Sequence, residues 1–322
     1  MVSKPARARG RTVTTLLLGM LMAMLSVMPF GSAAAQDATP EAEPVASALA
    51  GLGLPEISVT ASDVTYAIAF GPPLMEGWHL VSLTNASAVS ATVNFAQVPE
   101  ERSIGDLSSI LFQSFQGAGG ELPDWWPNVD FAGGAWAGPG ETTQTAIYLT
   151  PGTWVAFSTN PISAQPVQSI KVATAEELVT TYGMEPVASP VADAATPVAE
   201  GLPSDGTVTI DDGSYAIASA PVAGPQVWAV TNNSAQPSEI ILVSVDYDIP
   251  PEEAVLWVTT FSAGDIGNAV LINGSGIISP ATTAYVAVDL APGTYVLFSA
   301  VPDAAGGIQS SNGLNLVFVV EE

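Results

Sequence analysis

The chain has 322 residues, with 6 basic and 31 acidic side chains, one histidine and no cysteine. A balance this negative repels nucleic acid and anionic surfaces, and the missing thiols remove disulfides and thiolate chemistry. An apolar share of 48% lies well above that of a disordered chain, so burial in a core has to supply the stability.

Residues 1–35 read as a secretory signal peptide. Lys4, Arg7, Arg9 and Arg11 precede an apolar run from Val13 to Phe30, and Ser32-Ala33-Ala34-Ala35 is a small-residue cleavage site. The run is short for a bilayer span, and no later stretch is long and apolar enough to be one. Cleavage leaves Arg102 and Lys171 against all 31 acids, a net charge near −29, and the expected location is extracytoplasmic or secreted.

Residues 36–54, rich in Ala, Pro, Glu and Thr, read as a disordered stalk, and residues 184–204 read as a linker of the same character. Glu-Pro-Val-Ala-Ser occurs in both, at Glu43 to Ser47 and Glu185 to Ser189. They delimit two domains, 55–183 and 205–322. Tyr66-Ala67-Ile68-Ala69 is matched by Tyr215-Ala216-Ile217-Ala218, and Pro151-Gly152-Thr153-Trp154-Val155-Ala156-Phe157-Ser158 by Pro292-Gly293-Thr294-Tyr295-Val296-Leu297-Phe298-Ser299. The matches keep their order, which marks an internal repeat of globular-domain size.

Period-two alternation between Gly, Pro, Asn and Asp turns predicts strands at 57–60, 65–70, 78–84, 91–98, 142–149, 153–158 and 167–172 in the first domain. The second is predicted to have them at 207–210, 214–218, 227–231, 240–245, 282–290, 294–300 and 314–320. The fold class is all-β, two tandem Greek-key β-sandwiches. Helical spacing interrupts each between its fourth and fifth strands, at 103–115 and 251–261. A short helix from Thr174, with Glu177 at capping-box spacing, ends at Gly183.

Three segments carry a family resemblance: the Asn-rich turn from Thr231 to Glu239, the aromatic strand from Pro292 to Ser299, and the run from Gln309 to Leu314. Together they resemble the ligand-bearing segments of small secreted cupredoxins. That family places histidine after the first segment, cysteine after the second, and histidine and methionine around the third. The resemblance puts those positions at Ser238, Ser299, Gln309 and Leu314. In the first domain it points to about Ser90 and to Ser158. A blue-copper centre needs a thiolate and two imidazoles, so copper is not expected, nor any other cofactor.

Other chemistry is sparse. His79 lacks a second histidine or a nucleophile elbow, and its strand position predicts a surface residue. Asp211-Asp212-Gly213 and Asp246-Tyr247-Asp248 offer calcium-type oxygens without an EF-hand pattern, and Asp-Gly is also an ordinary hairpin turn. The Gly- and Pro-rich stretch with Trp125, Trp126 and Trp136 reads as a loop with two uses: a ligand-binding surface, or a plug over the open end of the sandwich. The expected protein is a non-catalytic binding or structural module of the cell envelope or extracellular space, with three alternatives open for its partner: a glycan, an envelope protein or none. Modules on a flexible linker would gain avidity. The competing expectation is an electron carrier or enzyme with an unrecognised site.

Overall fold

The computed structural model describes residues 48–71, 73–115, 119–159, 168–184, 201–245 and 269–321. The segment read as a signal peptide, most of the stretches read as stalk and linker, the predicted helix at 251–261 and Asp246 to Asp248 lie outside the described residues. No helix among the described residues is long and apolar enough to cross a membrane.

The first sandwich contains β1 (Glu56–Ala61), β2 (Tyr66–Phe70), β3 (Leu74–Met75), β4 (Gly77–Asn85), β5 (Ala91–Gln97), helix α1 (Ile104–Phe115), β6 (Asp130–Ala137), β7 (Thr142–Leu149), β8 (Gly152–Phe157) and β9 (Gln168–Ala173). It closes with helix α2 (Ala175–Glu177), which runs on as a wider turn through Tyr182. Here the expected capping box forms: Thr174 Oγ1 accepts from Glu177 N at 3.1 Å and Glu177 accepts from Thr174 N at 2.9 Å. Gly183, at φ 64°, ends it. The second sandwich contains β10 (Gly206–Asp211), β11 (Ser214–Ile217), β12 (Gly224–Asn232), β13 (Ile241–Val245), β14 (Val270–Gly274), β15 (Thr283–Leu290), β16 (Gly293–Phe298) and β17 (Asn315–Val320).

Alternation sets the cores. β1 points Ile57, Val59 and Ala61 inward to meet Val93, Trp154 and Ile170 from the facing sheet. Val208, Ile210 and Trp228 meet Leu242, Tyr295 and Leu297 in the second sandwich. The turn that enters each second layer is held by a buried asparagine. Asn85 Nδ2 donates to Val89 O at 2.8 Å and Ala137 O at 3.0 Å, and its Oδ1 accepts from Ser87 N and Oγ. Asn232 repeats the pattern with Gln236 O at 2.9 Å, Ile278 O at 3.0 Å, and Ser234 N and Oγ. An Asn-rich turn thus satisfies backbone groups that would otherwise be buried unpaired.

The two sandwiches are not beads on a string, as the linker composition suggested. They share one eight-stranded sheet in the order β11-β10-β12-β15-β7-β4-β1-β2, with a separate sheet backing each half: β3-β9-β8-β5-β6 and β14-β13-β16-β17. β15 pairs antiparallel with β7 through Tyr285↔Ala146 and Val286↔Thr145. Behind that pairing, Gly134 N donates to Ser275 O at 2.7 Å and Ile277 N to Asn94 Oδ1 at 2.8 Å. Gly276 stands at φ 60°, and a Cβ there would lie 2.4 Å from Gly134 N, so the two backbones touch only because no side chain intervenes.

β6 corrects the sequence reading, which took its stretch as a loop, and β14 is a strand that the alternation did not predict. Gly133 and Gly134 interrupt the strand signal of β6, and Gly133 permits this close approach, since a Cβ there would lie 2.8 Å from Ser275 O. On the outer face of the shared sheet, Leu49, Leu54 and Leu202 cover Leu80, Ala146, Val227 and Tyr285. Leu49 and Leu54, inside the stretch read as stalk, are thus packed against the sheet, and Gly53-Leu54-Pro55 and Gly201-Leu202-Pro203 each deliver a leucine to the same patch.

Candidate functional site

Three of the four positions drawn from the resemblance come together. Ser238 follows the Asn232 turn, Ser299 closes β16, and Gln309 opens the turn before β17. Ser238 Oγ donates to Gln309 Oε1 at 2.7 Å and Ser299 Oγ donates to the same oxygen at 2.8 Å. Gln309 Nε2 donates to Pro237 O at 2.9 Å, and Ser299 Oγ accepts from Val301 N at 3.2 Å. All three residues are buried. Leu314 does not join them as a polar group; it packs in the core with Trp228 and Tyr295, while its N–H donates to Gln309 O at 3.1 Å.

The cluster does not fit copper. Its donors are two hydroxyls and an amide, hard and neutral where the metal needs thiolate and imidazole, and both hydroxyl protons and the amide oxygen are already committed to one another. In the first sandwich Ser158 takes the position of Ser299, and Tyr66 Oη donates to its Oγ at 3.3 Å. Counting from the matched asparagines, Ala91 rather than Ser90 stands where Ser238 does.

Beside this cluster lies a residue the sequence reading passed over. Glu239, 2% exposed, sits where the two sandwiches meet. Its Oε2 accepts from Trp136 Nε1 of the first sandwich at 3.2 Å, and its Oε1 from Ala300 N at 3.2 Å. Tyr215 Oη donates to the Glu239 carbonyl at 2.7 Å. Burial pushes the carboxyl up to about 7, against the lowering effect of the Trp136 and Ala300 hydrogen bonds. The signal was present: an acid at the head of Ile240-Ile241-Leu242-Val243, where every neighbour faces a core.

The tryptophans do not form one surface. Trp126, 2% exposed, packs with Leu107, Leu111 and Phe131 of its own sandwich and with Ile277 and Val301 of the second. Trp136 lies on β6 among Ile241, Val296 and Phe298. Trp125 is half-buried, with the Arg102 guanidinium 5.6 Å from its ring centre. The stretch covers hydrophobic surface at the join of the sandwiches and leaves only Trp125 partly open to solvent.

His79 corrects the surface expectation. It is 1% exposed, because it shares the core-facing side of β4 with Val81 and Leu83 and pairs with the buried Ile147, while Trp78 and Leu80 on the other side face the patch under Leu49 and Leu54. Its Nδ1 lies 2.9 Å from Gly77 O while Nε2 has no partner among the described residues, and burial lowers its pKa to about 4. Asp211 and Asp212 are turn acceptors, taking hydrogen bonds from Asn233 Nδ2 and Ala235 N. No group of three or more metal-ligating His or acidic side chains occurs among the described residues.

No protein-family model matches the chain, and no curated protein matches it. Solved structures do. Auracyanin from the photosynthetic bacterium Roseiflexus castenholzii is 18% identical over 36% of this chain and 95% of its own, with a TM-score of 0.25. Auracyanin A, a "blue" copper protein from Chloroflexus aurantiacus, is 25% identical over 36% of this chain and 100% of its own, with a TM-score of 0.25. A copper-containing nitrite reductase from Thermus scotoductus is 13% identical over 83% of this chain and 61% of its own, with a TM-score of 0.21. Scores this low carry no argument about the present chain, whose two sandwiches stand on their own strand order.

Proposed function

We propose that the mature protein is an exported, non-catalytic structural or binding module, built from two cupredoxin-like sandwiches in which a hydrogen-bonded plug occupies the place of a copper centre. One observation carries this reading: Ser238, Ser299 and Gln309 meet at the convergence of the three segments that the resemblance singled out, and satisfy one another there. A site whose hydroxyl protons and amide oxygen are paired with one another presents neither the thiolate nor the imidazoles that copper needs, and it rigidifies the loops that carry it. The leader composition supports export, and the net charge supports a soluble extracytoplasmic life. Trp125, still partly open, is the residue offered to a glycan or an envelope protein.

Copper titration of the purified mature chain, read by metal analysis and visible absorption, tests the proposal. The wild type takes up no stoichiometric copper. A variant carrying Ser238→His, Ser299→Cys, Gln309→His and Leu314→Met gains copper with a thiolate-to-metal absorption band. Stoichiometric copper in the wild type refutes the plug.

A further inference from the structure

Glu239 is a carboxyl placed where a carboxylate is poorly held. Around the indole that donates to it lie Ile241, Leu271, Val296 and Phe298. The two cations beyond the leader are engaged elsewhere, Lys171 with Glu177 at 3.4 Å and Arg102 over Trp125. Its neighbours bring no compensating charge. β14 has no ionisable residue, the one acid of β6 is Asp130 at the far end of that strand from Trp136, and β16 has only Tyr295, whose hydroxyl donates to Ala291 O. Among the described residues β11 supplies the titratable group that faces Glu239, Tyr215, and its hydroxyl is spent on the Glu239 carbonyl.

Two N–H donors, one from each sandwich, therefore hold the side chain across the join. We propose that Glu239 is a proton-operated latch: protonated, it keeps the Trp136 face of the first sandwich closed on the second, and ionised, it loosens that contact and admits water. The direction follows from linkage. An opened seam returns the carboxyl to water and its ordinary value of 4.5, against about 7 when closed. The closed state is thus fully favoured below pH 4.5, and its advantage is lost as pH rises through 7. Opening increases about tenfold per pH unit across that window, roughly 300-fold in all.

Hydrogen exchange of the mature chain, corrected for intrinsic rates, reads this at the Gly134 and Ile277 amides, which both donate across the join. In the wild type their opening constants rise between pH 4.5 and 7 and level off above. Glu239→Gln flattens the profile. Trp136→Phe, which removes one donor to the carboxylate, moves the plateau to higher pH. A wild-type profile that is flat, or one that Glu239→Gln leaves unchanged, overturns the latch. Should Glu239→Gln fail to fold, an unmoved plateau in Trp136→Phe overturns it equally.

Discussion

Replacing Asn232 by alanine tests whether the sandwiches unfold together. The side chain makes four hydrogen bonds, to Gln236 O, Ile278 O, Ser234 N and Ser234 Oγ, and is fully buried. Each such bond contributes about 1 kcal/mol net, and a buried acceptor left unpaired costs more, while Ser234 Oγ keeps its bond to Gln236 O. The expected loss is about 3–4 kcal/mol, which for a chain of this size lowers Tm by roughly 6–16 °C. Asn85→Ala in the first sandwich should cost a similar amount, because it makes the corresponding four bonds and shares its amide protons with Gly138 O as well. Since β7 and β15 hydrogen-bond within one sheet, calorimetry should show one transition, displaced as a whole by either variant. Two transitions, with each variant moving only its own, would refute a shared folding unit.

Gly276→Ala forces a Cβ to 2.4 Å from Gly134 N at a φ of 60°, so it should cost about 2 kcal/mol or more and raise the protease susceptibility of the join, whereas Gly51→Ala, in open space, should not. His79 and Glu239 should oppose each other in pH dependence. His79, depressed to about 4, stabilises the fold above pH 6.5 and loses that contribution as pH falls toward 4, whereas Glu239 loses its contribution as pH rises from 4.5 to 7. Denaturant titrations should give a nearly level wild-type stability between pH 4.5 and 6.5. The profile should slope upward with pH in Glu239→Gln and downward in His79→Gln; parallel profiles would contradict the assignments. Trp126→Ala should destabilise by about 3–5 kcal/mol, as a buried ring does. Trp125→Ala should leave Tm nearly unchanged while reducing recovery of any glycan or envelope protein in a pull-down, and equal recovery would remove Trp125 as the contact.

Most strands were legible because their side chains alternate over one buried face; Thr142 to Leu149 matches β7 at both ends. β6 escaped because glycine conveys no burial preference, and the reason for Gly133 is the backbone of the other sandwich at Ser275, which no local window contains. His79 was misplaced because alternation tells two faces apart but does not say which one meets the facing sheet: the Trp78 and Leu80 face lies under leucines from the linker stretches, and the His79 face, with Val81 and Leu83, turns to the sandwich core. The serine-glutamine cluster was readable from three short segments because turns and strand ends fix their positions. Glu239 was visible in the sequence only as an acid out of place, and its indole partner lies 103 residues away in the chain.

A seam in which β7 meets β15 antiparallel, with like strands following outward on either side, is the geometry of a two-fold dimer enclosed in a single polypeptide. In a true homodimer every seam residue occurs twice, and a buried carboxyl on one side would face the same arrangement on the other. Here the position that holds Glu239 in the second half holds Thr92 in the first, counted from the paired asparagines. Covalent tethering keeps the halves together at a high effective concentration. That frees one side of the contact to carry an ionisable group while the other remains neutral, so a single proton can act on the whole interface.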